Sequence, residues 1–331
     1  MYVNPPIERL IGNLAYAETT LVELVSPNHW PADIYDTLTL RLRGTHTKGN
    51  GDGIAIDDDP FALLRRVHCY AGQGDFVSIT GPDLRVLNII MKPDRNGRDV
   101  VHTPSVASAP GATAFSAVLG LPFQMPDMMD PRRGFWRSGR YGSSKFGITF
   151  GAPTDLASGE TGTNTITSCS VDVVAETWGG EPAFEAPPDR TKIILHKRTD
   201  QLYPTAGAVL TENRLLIPSD RSKLRGVLLK SYIPSPERAV NLFGDNDPIK
   251  LLYNKEDVKI ASTYRRIREA NERQFGRALP PEYLWLDLAP DGDWNRLRDI
   301  EEGVYEVMVT TTNAVANSLI RALFVRYAPG L

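Results

Sequence analysis

The chain has 331 residues, 41% hydrophobic and 23% charged, with a formal net charge of -3 and a pI near 6.0. This composition excludes a disordered chain and a protein that coats nucleic acid wholesale, which carries a strongly basic domain. Cys69 and Cys169 are the only cysteines, which excludes a disulfide framework or zinc knuckle; they read as small, part-buried apolar residues.

The first residues, MYVNPPIERLIGNL, lack the basic-then-apolar pattern of a secretory signal, and no run of ~18 apolar residues offers a bilayer-spanning helix. Ile7, Leu10, Ile11 and Leu14 fall at i, i+3, i+4 and i+7, with Pro6 just inside the start. This spacing predicts a short amphipathic helix over 5–16 within an N-terminal arm of 1–17. The helix either packs under its own domain or presents Ile7, Leu10, Ile11 and Leu14 to a membrane or a neighbouring subunit. With Arg9 as its only basic residue, it would bind a membrane weakly.

The period then changes from 3.6 to 2. Leu38, Leu40 and Leu42 alternate with Thr37, Thr39, Arg41 and Arg43, the pattern of a half-buried antiparallel strand. Phe146, Ile148 and Phe150 alternate in the same way, as do Cys169, Val171, Val173 and Ala175. The stretch GGEPAFEAPPD (179–189) reads as a linker. Beyond it the β rhythm resumes at 192–197, 224–232, 249–253, 258–261, 283–288, 304–311 and 319–327.

Laid side by side, the halves repeat a pattern. VHCYAGQGDFVSIT (67–80) is strand, polar turn and strand, running into a helix, PDLRVLNIIM (82–91), with Leu84, Leu87 and Met91 on one face. IKLLYNKEDVKIAS (249–262) does the same and runs into TYRRIREANERQF (263–275), with Tyr264, Ile267 and Phe275 on one face. FGITF then matches VYEVMV, and SVDVVAE matches ALFVRYA. The expected fold is all-β: two tandem eight-stranded jelly-roll sandwiches, 18–182 and 183–331, each with a short inserted helix, plus the N-terminal helix.

Chemistry is sparse. His29, His46, His68, His102 and His196 are scattered, and no nucleophile elbow, Walker loop or dinucleotide fingerprint occurs. Asp291, Asp293, Asn295 and Glu302 match positions of a calcium loop, but Arg296 stands where the turn needs glycine. That segment and DGIAIDDDP (52–60) read as solvated connections. No catalytic, cofactor-binding or metal-binding residue is assigned, and no cofactor is expected. Arg132, Arg133, Phe135, Trp136, Arg137, Arg140 and Tyr141 interleave cations with aromatics. They could stack on bases, but in a net acidic chain they read as a loop anchoring a protein interface, with no specific nucleic acid expected. The arginines of 263–277 read as a solvated face with an i, i+4 pair, Glu269–Arg273.

DTLTLRLRGTHT (36–47), DPFALLRRVHCYAGQGDFVSITGPDLRVLN (59–88), FSAVLGLPFQMP (115–126), YGSSKFGITFGAPTDL (141–156) and NTITSCSVDVVAETW (164–178), in this order with the closing VYEVMV and LIRALFVRY, resemble the double jelly-roll major capsid proteins of icosahedral viruses with an internal membrane, of the tectivirus and finnlakevirus types. The resemblance covers nearly the whole chain. It implies a non-enzymatic structural protein of the virion, made in the host cytoplasm, whose homotrimers form pseudo-hexagonal capsomers and then a trimer–trimer lattice. It also implies minor capsid and penton proteins and an underlying lipid membrane as partners, the N-terminal segment on the inner side, and loops 95–112 and 125–145 in towers or contacts. Two readings stand beside it. A two-domain carbohydrate-binding β-sandwich protein would expose Trp on one sheet face, whereas Trp136, Trp178, Trp285 and Trp294 fall in loops and strand ends. A tandem jelly-roll enzyme, amidase or cupin-like, would need convergent catalytic or metal-ligating groups.

Overall fold

The computed structural model describes residues 7–25, 35–48, 54–55, 58–71, 74–91, 100–105, 111–123, 144–158, 164–177, 191–202, 211–217, 222–234, 237–254, 257–293, 298–299, 304–313, 315 and 317–329. Among the described residues, the strands of five residues or more form two sets of eight. In the first set β1 is Ile7–Ala15, β2 Leu21–Val25, β3 Tyr35–Lys48, β4 Leu64–Ala71, β5 Gly74–Ile79, β6 Gly111–Pro122, β7 Ser144–Phe150 and β8 Thr165–Thr177. In the second set β9 is Thr191–Leu202, β10 Thr211–Leu216, β11 Lys223–Ile233, β12 Pro248–Tyr253, β13 Asp257–Thr263, β14 Tyr283–Asp287, β15 Tyr305–Thr311 and β16 Leu319–Pro329. Helix α1 (Gly81–Met91) follows β5, and α2 (Tyr264–Phe275) follows β13.

Hydrogen bonding orders the first set as β1-β8-β3-β6 and β2-β7-β4-β5, and the second as β9-β16-β11-β14 and β10-β15-β12-β13. Every pairing within a set is antiparallel, and the first strand of each set lies beside its last. This is the jelly-roll order, drawn twice: a strand and the strand eight places later hold the same position. The repeated pattern in the sequence is therefore a repeat of topology.

Period-2 alternation fills both sandwiches. Leu38, Leu40 and Leu42 of β3 and Val171, Val173 and Ala175 of β8 face Val67, Cys69, Phe146 and Ile148 across the first core. Val227, Leu229, Ala322 and Phe324 face Ile249, Leu251, Val307 and Val309 across the second. Both helices end a β-hairpin. The Asn88 amide, the eighth residue of α1, donates to the Gly120 carbonyl at 2.7 Å and accepts from the Gly120 N–H at 2.9 Å. It thereby substitutes for a strand along the edge of β6. Asn271 is the eighth residue of α2 and is likewise buried.

The segment expected to be an N-terminal helix is the strand β1, paired with β8 from Ile7↔Thr177 to Ala15↔Ser170. A bulge between Leu10 and Gly12 inserts Ile11 and resets the alternation. As a result Ile11 and Leu14, three residues apart, both enter the first core, and the stripe imitates a helical period. On the other face of β1, Leu10 is 62% exposed.

Candidate functional site: the junction of the two sandwiches

The strands LRGVLLKSY and LIRALFVRY are almost continuously apolar, which suits a sheet covered on both faces. The structure shows what covers the second face. Strand β5 of the first sandwich pairs in parallel with β9 of the second, Val77↔Leu195 and Ser78↔His196. The sheets β2-β7-β4-β5 and β9-β16-β11-β14 thus become one. One side of that sheet lines the first core (Val67, Val77, Ile148). Past β9 it continues as Leu228, Tyr283, Trp285, Leu323, Val325 and Tyr327, which join the same cluster. The other side runs from the outward residues Glu23 and Ser78 into the second core.

Charges buried at this junction are paired across it. Lys230 of β11 lies 2.7 Å from Asp58 and 2.7 Å from Glu237. Arg321 of β16 lies 2.8 Å from Asp83 of α1 and 2.8 Å from Glu237, and it donates to the Thr80 hydroxyl at 3.3 Å. The Tyr283 hydroxyl donates to Asp83 Oδ1 at 3.1 Å, and the Lys230 ammonium lies over the Tyr283 ring. Asp58, Thr80 and Asp83 come from the first sandwich and the rest from the second. Burial disfavours charge on Lys230 and Arg321, yet the surrounding carboxylates outweigh it and raise both above their ordinary values. Burial would also raise Glu237, but Arg321 and Lys230 hold it well below the usual carboxylate range. Burial and the nearby Asp58 and Asp83 push the Tyr283 phenol well up.

Trp285 anchors the apolar part. Its indole lies over Gly226, where a Cβ would meet the ring at 2.3 Å, so the close approach of β11 and β14 requires glycine. The Arg225 guanidinium packs over the Trp285 ring and pairs with Asp287, which also accepts from the Gln274 amide of α2 at 2.8 Å.

The assembled groups hold surfaces together. Trp285 sits mid-strand and is buried, contrary to the expected loop or strand-end position, because it fills the junction. Trp136, Trp178 and Trp294 lie outside the described residues, as does the whole 132–141 loop, with Arg132, Arg133, Phe135, Trp136, Arg137, Arg140 and Tyr141. The 179–189 linker and the boundary at 182–183 also lie outside them. Of the N-terminal stripe, Ile11 and Leu14 are core residues and Leu10 is exposed. His68 is buried 3.2 Å from Glu23, and its burial lowers its pKa. His46 is buried between the Ser105 carbonyl and the Asn164 side chain. Both cysteines are free and buried, and burial pushes the Cys169 thiol up to about 12. The helix ion pair is Arg265–Glu269 at 2.8 Å, not Glu269–Arg273: Arg273 turns to the Glu269 carbonyl instead.

The segment DGIAIDDDP (52–60), expected to be a solvated connection, instead buries Asp58 and Asp59, because Asp58 is the counter-charge of Lys230; sequence reasoning did not single out Asp83, Lys230 and Arg321. The available signal was a lone cation inside each apolar strand, which must find a partner if both faces are buried.

No family model and no curated protein matches the chain. Solved structures do. The chain is similar to the STIV MCP, from Sulfolobus Turreted Icosahedral Virus, with a TM-score of 0.72 and 12% identity over 97% of this chain and 96% of that one. It is also similar to the major capsid protein from bacteriophage PM2, with a TM-score of 0.57 and 10% identity over 97% of both chains. The Faustovirus major capsid protein matches with a TM-score of 0.58 and 9% identity over 99% and 91%. The fold is the double jelly roll shared with these proteins.

Proposed function

We propose that this chain is a major capsid protein, a structural subunit whose homotrimers form pseudo-hexagonal capsomers of an icosahedral shell enclosing a membrane. The observation that carries the proposal is the duplicated jelly roll with its head-to-tail junction, together with the same two-sandwich fold in several viral capsid proteins over nearly their whole length. Two equivalent lobes per chain allow three chains to fill a site with six neighbours. Trimers then contact one another in a lattice, and minor capsid and penton proteins complete the shell. In this reading the boundary between the domains falls near 183 and the 132–141 loop contributes to contacts between capsomers. The protein is made in the host cytoplasm and resides in the virion.

Negative-stain imaging of the purified protein tests the reading. Triangular or hexagonal particles of uniform size are expected. A field of single two-lobed particles at micromolar concentration would overturn it.

A further inference from the structure

The two helices hold the same place in the duplicated plan but are secured by different means. Every residue of α1 except Arg85 is buried, and its polar side chains reach beyond the helix. Asn88 bonds both backbone groups of Gly120 on β6, and Asp83 pairs with Arg321 across the junction. Of the twelve residues of α2, only Tyr264, Asn271 and Phe275 are buried. Asn271 stands at the position of Asn88, yet its Nδ2 is buried and finds no acceptor among the described residues. A buried donor in this state destabilises the closed arrangement, because water satisfies it once the helix opens.

The attachment of α2 is concentrated at its first turn. The Tyr264 N–H donates to the Asp247 carbonyl at 3.0 Å and the Arg265 N–H to the Asp245 carbonyl at 3.1 Å, both just before β12. The Tyr264 ring stacks on Phe243. Other polar contacts stay within the segment itself. The Tyr264 hydroxyl donates to the Pro281 carbonyl at 2.5 Å, and Arg268 donates to the Leu279 carbonyl at 3.0 Å. Both acceptors lie in the connection from α2 to β14, so they travel with the helix. Arg265 and Arg273 bond Glu269 of α2. Beyond the first turn, α2 reaches the sandwich through Gln274, which donates to Asp287 at 2.8 Å, and through the apolar side chains of Ile267 and Phe275.

We infer that α2 beyond its first turn is a releasable strap: residues 268–275 leave the sandwich and unwind as one unit while both sandwiches stay folded, a motion that α1 does not share. The inference concerns how one lobe moves and does not depend on assembly into a shell. A helix of this length is marginal in water by itself, so release from the sandwich also unwinds it. Segments with few buried apolar contacts open locally at free energies far below that of global unfolding. Opening hydrates the Asn271 amide and frees Asp287 from Gln274. The two lobes therefore differ in kind: the first has a fixed helix, and the second has one that changes the lobe's surface when it lets go.

Amide hydrogen exchange of the unmodified protein, resolved by peptide, tests the strap with α1 as its internal reference. The amides of 268–275 are expected to share one rate, at least ~100-fold faster than those of 85–91. The Tyr264 and Arg265 amides, bonded to Asp247 and Asp245, are expected to stay protected. Equal protection of the two helices, or rates in α2 that grade smoothly inward from its end, would overturn the inference. Two variants then test the role of the amide. Asn271→Leu keeps the side-chain volume and removes the unpartnered donor, so α2 is expected to exchange roughly 10-fold more slowly with α1 unchanged. Asn88→Leu strands the backbone groups of Gly120, so α1 is expected to exchange faster by a similar factor, roughly 10-fold. An α2 rate that is unchanged or higher in Asn271→Leu contradicts the proposal. The comparison within the unmodified protein decides the matter even where a variant fails to fold.

Discussion

The β1-β8-β3-β6 sheet and its counterpart β9-β16-β11-β14 have the same strand order, yet they bury different faces. In the first, β3 alternates strictly: Leu38, Leu40 and Leu42 point inward while Arg41 and Arg43 reach solvent. In the second, β11 buries Val227 and Leu229 in its own core and Leu228 and Lys230 in the junction. The helices invert the pattern. Nearly all of α1 is buried, whereas α2 buries only Tyr264, Asn271 and Phe275 and exposes a charged face. One duplicated plan therefore meets two environments, and the difference shows which surface each copy of the plan buries inside the chain.

The largest expected effect comes from breaking the buried ionic junction. Arg321→Ala leaves Asp83 and Glu237 facing each other without their guanidinium, and removing one partner of such a pair costs about 3–5 kcal/mol. The check is urea denaturation, which should show the loss as a shifted midpoint with an unchanged slope. Filling the space over Trp285 comes next: Gly226→Val should cost ~1–3 kcal/mol by overpacking, with quenching of the Trp285 environment visible in fluorescence. Asn88→Ala strands both backbone groups of Gly120 and should cost ~1–3 kcal/mol, measured in the same denaturation series.

pH offers a graded break. Glu237 has a folded pKa below its unfolded value, so its contribution is present above about pH 4.3 and is lost as pH falls below that value. His68, held neutral by burial, adds a smaller loss that begins as pH falls through about 6.5, because the unfolded state takes up the proton more readily. Lys230 behaves oppositely. Its raised pKa gives stability that is complete below about pH 10.4 and is lost above it. A thermal-melting profile from pH 3 to 11 checks the three signs together, the region below ~4.3 carrying the steepest loss. The smallest effect belongs to the open sheet: Arg43→Ala removes an exposed pair with Asp172 and should change stability by less than ~1 kcal/mol. If it cost as much as Arg321→Ala, the contrast between the two sheets would fail.

The strands with clean alternation were legible in the sequence, and so were both hairpin–helix units, because period and turn residues are local signals. β1 was not, since its bulge converts a period of 2 into the spacing of a helical stripe over the few residues from Ile7 to Leu14. The junction was only half legible. The continuous apolar runs around Leu228 and Leu323 announce a two-faced strand, but the partners of Lys230 and Arg321 lie 172 and 238 residues away. Only the folded topology brings Asp58 and Asp83 to them.

In the proposed function the duplicated jelly roll serves self-assembly, letting three chains fill a site with six neighbours. The mass of the unmodified protein in solution, by light scattering at micromolar concentration, tests it most directly. Three times the 36.6 kDa chain is the predicted result. A single chain mass that persists as concentration rises would contradict it.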